Sequence, residues 1–295
     1  MKLEFFVIGA QKCATSWLHA CLAQHPGISL PAHKREIHYL GGAEHRRRGD
    51  DWFLARYARG GAIRGDVSVE YLEDPASAQY LRARFPEGRL VVSLRDPVDR
   101  AISAYYWALR NGLVSGRSLD TALEAALAAG PEGGGPDFLR RGLYGVRLRR
   151  YQQAFGADRL FALCFEHLAV DAAGSLAALF SFLGVDPEFV PPAFGSRPKR
   201  SSHAPALVAI ERRLGRARAL RKLADLAHQA LGRAGLTGTR PAPGPALRQR
   251  LIGFYAADLE RLRDIVGEIP PGQRPGFDRL EALWPTLGGA AGRGR

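Results

Sequence analysis

"FFVIGAQKCATSWLHACL", residues 5–22, is an apolar run that breaks into a short polar loop and resumes at helical spacing. The first part is short and rich in aromatic and β-branched residues, which predicts a buried strand over 3–8. Trp17, Leu18, Cys21 and Leu22 share one helical face and predict a helix over 15–23. Strand, Gly9, polar loop and helix is the arrangement in which backbone N–H groups and the positive end of a helix receive a phosphate. The nucleoside-triphosphatase pattern GxxxxGK[ST] places lysine directly before the Ser/Thr. Here Lys12 stands three residues before Thr15, and Ala14 occupies a position where a glycine is expected. The loop is therefore phosphate-loop-like without matching an ATPase, and a capped helix beside an exposed lysine is the plain alternative. Only five of the 42 basic residues are lysine (Lys2, Lys12, Lys34, Lys199 and Lys222). A lysine in this loop points to a need for a compact ammonium, such as a point contact with one phosphosulfate oxygen.

Working outward, strands are expected at 63–67, 90–94 and 160–165. Helices are expected at 75–85, 97–111, 119–129, 144–155, 172–183 and 246–266. A basic helical pattern begins near Leu207, and Gly184 closes the helix before it. Strands alternating with helices predict an α/β fold of three layers, a mostly parallel central sheet with helices on both faces. A single domain over 1–295 is expected. It would comprise a nucleotide-binding core over 1–205, a basic helical part over 206–285 and a flexible tail over 286–295. The loops at 41–52 and 130–142 read as irregular.

"SLRDPVDRAISAYYWALRNG", residues 93–112, is the second constellation. Arg95 directly follows a buried strand, at the carboxyl edge where α/β sheets bind ligands. Pro97 starts a helix, and Arg100 and Ser103 follow in its first two turns, where both could face one ligand. An arginine fork with a serine hydroxyl can hold a phosphate dianion through charge-assisted hydrogen bonds.

"GAQKCATSWL" with "SLRDPVDRAISAYY" resembles the two nucleotide-binding segments of sulfotransferases that use 3′-phosphoadenosine-5′-phosphosulfate (PAPS). The likeness is greatest to bacterial members related to heparan sulfate and other carbohydrate sulfotransferases. It continues through "GDVSVEYL", "FEHLAVDAAGSLAALFSFLGV" and "PKRSSH", and so covers most of residues 3–203. The resemblance implies a P-loop-NTPase-like sulfotransferase fold and PAPS as co-substrate, with no metal. It implies that Lys12, Cys13, Ala14, Thr15 and Ser16 bind the 5′-phosphosulfate and that Arg95 and Ser103 bind the 3′-phosphate. Lys199 and Arg200 would belong to a late basic loop that closes over the nucleotide. "HKREIHYL", residues 33–40, resembles the family's Glu-x-His-aromatic segment. By that likeness Glu36 is the general base, Lys12 stabilises the leaving group and His38 orients a partner. Tyr144 matches a recurring tyrosine without an assigned role. Two departures stand out: Ala14 for a frequent glycine, and Asp66-Val67 where a lysine is common.

The implied reaction is sulfuryl transfer to a hydroxyl, and secondarily an amine, of a carbohydrate or glycoconjugate, by in-line displacement at sulfur. Two other classes compete. An ATP-dependent small-molecule kinase is disfavoured by the spacing of the first loop, and its best magnesium ligand would be Asp66. A nucleic-acid-binding protein is prompted by the net charge of +13. The basicity is concentrated: 13 Lys and Arg against Glu211 and Asp225 lie between Arg197 and Arg250. Few aromatics interleave there and no nucleic-acid motif is present, so nucleic acid is not expected as a partner. An anionic acceptor or peripheral contact with an anionic membrane fits that charge better. Three scattered cysteines suggest neither a disulfide framework nor a zinc site. With no leader-like segment, they suit a reducing cytoplasm, at or near the inner membrane face.

Overall fold

A computed structural model of the chain describes residues 3–31, 40–57, 63–114, 118–130, 137–195 and 241–288. Five strands, β1 (Phe5–Gly9), β2 (Ile28–Ser29), β3 (Ile63–Val67), β4 (Arg89–Leu94) and β5 (Leu160–Cys164), form one sheet in the order β2-β3-β1-β4-β5. Every pairing is parallel, so all the strands end on one edge. The chain leaves β1 toward β3 on one side and returns to β4 on the other. The crevice beyond the ends of β1 and β4 is therefore the topological switch point, where open α/β sheets bind ligands.

Alternation along β1 builds both layers. Phe5 and Val7 face the cluster formed with helix α1 (Thr15–Gln24) and helix α8 (Leu168–Leu183). Phe6 and Ile8 face the larger cluster, which includes residues of α4 (Ser77–Arg84), α5 (Pro97–Arg110), α6 (Leu119–Ala129), α7 (Tyr144–Phe155) and α9 (Pro245–Glu268). Gly65 on β3 pairs with Phe5, and a Cβ there would stand 2.1 Å from the Phe5 ring. The ring takes the space that a side chain would need.

Most elements agree with their sequence expectation, α6 and α7 to the residue. Four differences have physical causes. A helix, α2 (Ala43–Leu54), occupies the stretch expected to be irregular; it is broken at Gly49, where φ is 80°, and buries only His45 and Phe53. A short helix, α3 (Glu70–Glu73), follows β3, where no helix was expected. Helix α8 begins four residues early and kinks at Asp171, whose φ of −146° and ψ of 77° are not helical. The first three residues of the tail expected to be flexible over 286–295 belong to a single-turn helix, Pro285–Gly288, with Thr286 and Leu287 buried. Residues 289–295 lie outside the described residues, as does 196–240 with most of the basic segment. The late part of the chain is integral to the core, because α9 buries Leu251, Tyr255, Leu259 and Leu262 in the same cluster as β1. No helix among the described residues is long and apolar enough to cross a membrane.

Candidate nucleotide-binding site

The loop after β1 is tied at its base to β4. Ala10 N–H donates to Ser93 O at 2.8 Å, and Ser93 Oγ donates to Cys13 O at 2.6 Å. Two of its non-glycine residues are left-handed, Lys12 at φ 71° and Ala14 at φ 62°. That turn delivers the chain into α1 with no side chain capping its start. The first N–H groups of a helix have no acceptor within it, so they and the dipole make an anion-binding end. Thr15 is buried there and Ser16 is exposed. Cys13 is fully buried, 3.7 Å from the Tyr144 hydroxyl, and burial pushes its thiol up to about 11. Cys13 thus supports the loop as a neutral buried group, and Tyr144 acquires a role as the loop's backing.

Across the switch point, Arg95 follows β4. Its guanidinium lies 4.7 Å from the Phe165 ring centroid, and its Nε stands 3.9 Å from Glu166 Oε1 without forming a hydrogen bond. Asp96 caps α5 by accepting from Val98 N–H at 3.0 Å and Asp99 N–H at 3.1 Å, with Pro97 at the position that needs no donor. Ser103 is half-buried, one turn before Trp107. The Trp107 indole is 41% exposed, and Lys12 Nζ lies 5.2 Å from its centroid. Lys12, Thr15 and Ser16 thus follow β1, and Arg95 and Ser103 follow β4, at neighbouring strand ends that flank the switch point.

Arg100 does not join them. It is fully buried behind α5, where its Nη2 donates to Phe138 O while Nε and Nη1 have no hydrogen-bond partner. Asp66 is also withdrawn. It is 3% exposed and accepts from the Tyr71 hydroxyl, which in turn accepts from Leu40 N–H at 2.9 Å. Burial raises its carboxyl to about 6. The carboxylate that a kinase reading would place on magnesium is thus spent on internal structure. Val67, its neighbour in the segment where the resemblance leads one to expect a lysine, is a buried strand residue. Glu36, His38, Lys199 and Arg200 lie outside the described residues.

Three participants at this edge were not singled out from the sequence. Glu166, just past β5, accepts from Asp96 N–H at 3.1 Å and from Trp284 Nε1–H at 2.8 Å. Burial raises its carboxyl to about 7. Thr286 donates to Asp96 through both N–H and Oγ1–H, at 2.9 and 2.8 Å. Of the three, only Glu166 lies in a segment that carries the resemblance, "FEHLAVDAAGSLAALFSFLGV". Trp284 and Thr286 lie 118 and 190 residues from the carboxylates they complete.

The comparisons with known proteins agree with this geometry. The sequence profile of the Sulfotransferase family matches residues 39–189, about half of the chain. A bifunctional heparan sulfate N-deacetylase/N-sulfotransferase 1 from Caenorhabditis briggsae is 25% identical over 202 residues, covering 63% of this chain and 23% of the relative. A mouse bifunctional heparan sulfate N-deacetylase/N-sulfotransferase 2 is 24% identical over 205 residues, covering 62% and 22%. The chain thus spans about a quarter of the length of these curated relatives. Among solved structures, a sulfotransferase from Alicyclobacillus acidocaldarius superposes with a TM-score of 0.64 at 25% identity, covering 92% of this chain and 98% of that one.

Two measurements follow from the local physics. A left-handed alanine costs roughly 1–2 kcal/mol, partly offset on replacement by glycine's greater freedom when unfolded. Ala14→Gly should therefore stabilise the protein by about 0.5–1 kcal/mol and raise its Tm by roughly 1–3 °C. A fall in Tm would contradict the strain. For Glu166, a carboxyl raised by folding contributes stability that is present below its unfolded pKa and lost as pH rises toward about 7. Denaturant titrations from about pH 5 to 8 should show wild type losing stability relative to Glu166→Gln. Parallel pH profiles would show that the carboxyl is not raised.

Proposed function

The chain belongs to the sulfotransferase family, and we propose that it transfers the sulfuryl group of PAPS to a hydroxyl of a carbohydrate or glycoconjugate. What supports this reading is that the uncapped start of α1 with Lys12 and the β4–α5 turn with Arg95 stand at the ends of the neighbouring strands β1 and β4. The unbonded Nε of Arg95 fits a site with capacity left for an anion. In this reading the α1 amides, Thr15 and Ser16 hold the 5′-phosphosulfate, with Cys13 and Ala14 shaping the loop. Lys12 carries a positive charge at the oxygen that bridges sulfur and phosphorus, where negative charge grows as the bond to sulfur breaks. Arg95 offers a planar fork and Ser103 a hydroxyl to the 3′-phosphate.

By resemblance, Glu36 removes the proton of the attacking hydroxyl, His38 orients it, and Lys199 and Arg200 close over the nucleotide. The displacement then forms one O–S bond as another breaks and leaves adenosine 3′,5′-bisphosphate (PAP). The exposed Trp107 ring beside Lys12 offers the acceptor an apolar surface at the reacting end. The curated relatives named above are heparan sulfate N-sulfotransferases, which supports a carbohydrate acceptor and keeps an amine as the second acceptor chemistry.

Lys12→Ala should lose most turnover while keeping its fold, because the lysine contributes little to the core. Lys12→Arg should rescue poorly, because a planar fork does not replace a point contact. Turnover of the alanine variant near wild type, followed by mass spectrometry of sulfated heparan oligosaccharides, would remove Lys12 from the reaction. Arg95→Ala should weaken PAP binding by about 1.5–3 kcal/mol and adenosine 5′-monophosphate binding far less, since only PAP carries the 3′-phosphate. Equal losses for both nucleotides would show that Arg95 reads something else.

A further inference from the structure

Arg95 stands beside one largely buried carboxylate, Glu166, and next in the chain to a second, Asp96, which is an awkward place for a phosphate-binding arginine. Glu166 is near enough to take the guanidinium for itself. Its Oε1 lies 3.9 Å from Arg95 Nε, and its side chain is only 19% exposed. A carboxylate and a guanidinium this close and this shielded tend to close into a bidentate pair, which would use the same N–H fork that a phosphate needs. In the structure the pair stays open. Glu166 Oε2 is turned to Trp284 Nε1–H, Oε1 accepts from Asp96 N–H, and Cys164 Sγ lies 3.7 Å from Oε2. Asp96 is saturated in a similar way, by two N–H groups of its own helix and by both donors of Thr286. The donors that complete both carboxylates come from one short stretch, residues 284–286.

Ordinary packing explains the Trp284 ring, which is buried and lies 6.3 Å from the Tyr144 centroid and 6.1 Å from that of Phe277. It does not explain why the polar atoms of Trp284 and Thr286 are directed to Glu166, the carboxylate beside Arg95, and to Asp96, its neighbour in the chain. We propose that Trp284 and Thr286 are positioning residues of the nucleotide site. They hold Glu166 and Asp96 so that the Arg95 guanidinium remains available to the 3′-phosphate. This rests on the reading of Arg95 given above.

The test uses the full chain and two nucleotides that differ only in the 3′-phosphate, PAP and adenosine 5′-monophosphate, titrated calorimetrically. Trp284→Phe keeps a ring and removes the N–H donor. It should lower PAP affinity about 5- to 30-fold, a loss of 1–2 kcal/mol, with adenosine 5′-monophosphate within about twofold of wild type. Adding Glu166→Gln to Trp284→Phe removes the charge that captures Arg95, and should return PAP affinity to within about threefold of wild type. A purely structural role would not produce that rescue. Should Trp284→Phe fail to fold, Thr286→Val serves with the same ratio, with an expected loss for PAP of about 3- to 10-fold. Losses shared by both nucleotides, no loss at all, or no rescue would each overturn the proposal. Arg95→Ala separates the two failures. If it leaves the PAP preference intact, the reading of Arg95 falls; if it abolishes the preference while Trp284→Phe and Thr286→Val do not, only the positioning role falls.

Discussion

The binding edge depends on one buried carboxylate. Asp96 is fully buried at the turn between β4 and α5, and taking an ion out of water costs several kcal/mol unless hydrogen bonds replace the lost hydration. Four donors do so, two from the first turn of α5 and two from Thr286. The backbone N–H of Asp96 is itself held by Glu166. The strand end that presents Arg95, the helix that presents Ser103, the turn after β5 and residues 284–286 therefore meet at one residue. A change to Thr286 is felt at Asp96, because both are buried and neither can exchange the lost bond for water.

The opposite wall of the crevice is built differently. Where phosphate loops often use glycine to turn, this one uses Lys12 and Ala14 in left-handed conformations. The strain is held by bonds to Ser93 on β4 and by the buried Cys13–Tyr144 contact. Both walls consequently anchor on β4. Ser93 and Arg95 are two residues apart on one strand end, so the loop and the arginine share a frame even though the helices they lead into pack on different faces of the sheet.

How much of this could be read from the sequence follows from the range of the interactions. Strands β1, β4 and β5 are short apolar runs bounded by turns, and the helices that cover them carry apolar faces, so local pattern sufficed. Helix α2 did not have such a face: "AEHRRRGDDWFL" buries only His45 and Phe53. Arg100 and Ser103 are three positions apart, a spacing that allows a shared face, yet Arg100 turns into the core, where a fully buried arginine is the exception. Glu166, Trp284 and Thr286 act through contacts across more than a hundred residues, which no periodicity encodes. The resemblance to sulfotransferases, by contrast, lies in two contiguous segments, and the structure sets these on the two sides of the switch point.

The choice of lysine at position 12 is the last step in that argument. Lys12 Nζ lies 5.2 Å from the Trp107 centroid, at the distance where a cation is attracted to the ring. At a partly exposed site that attraction is worth about 0.5–1 kcal/mol, too little to trap the ammonium against a competing phosphosulfate oxygen. The Trp107 ring thus stands beside Lys12 without a strong hold of its own. A guanidinium would stack flat on the same indole and spread its charge over a plane, so it would be held more firmly and aimed less sharply. In a chain where arginine supplies nearly all the positive charge, a lysine at position 12 fits the point contact with a single oxygen proposed for it.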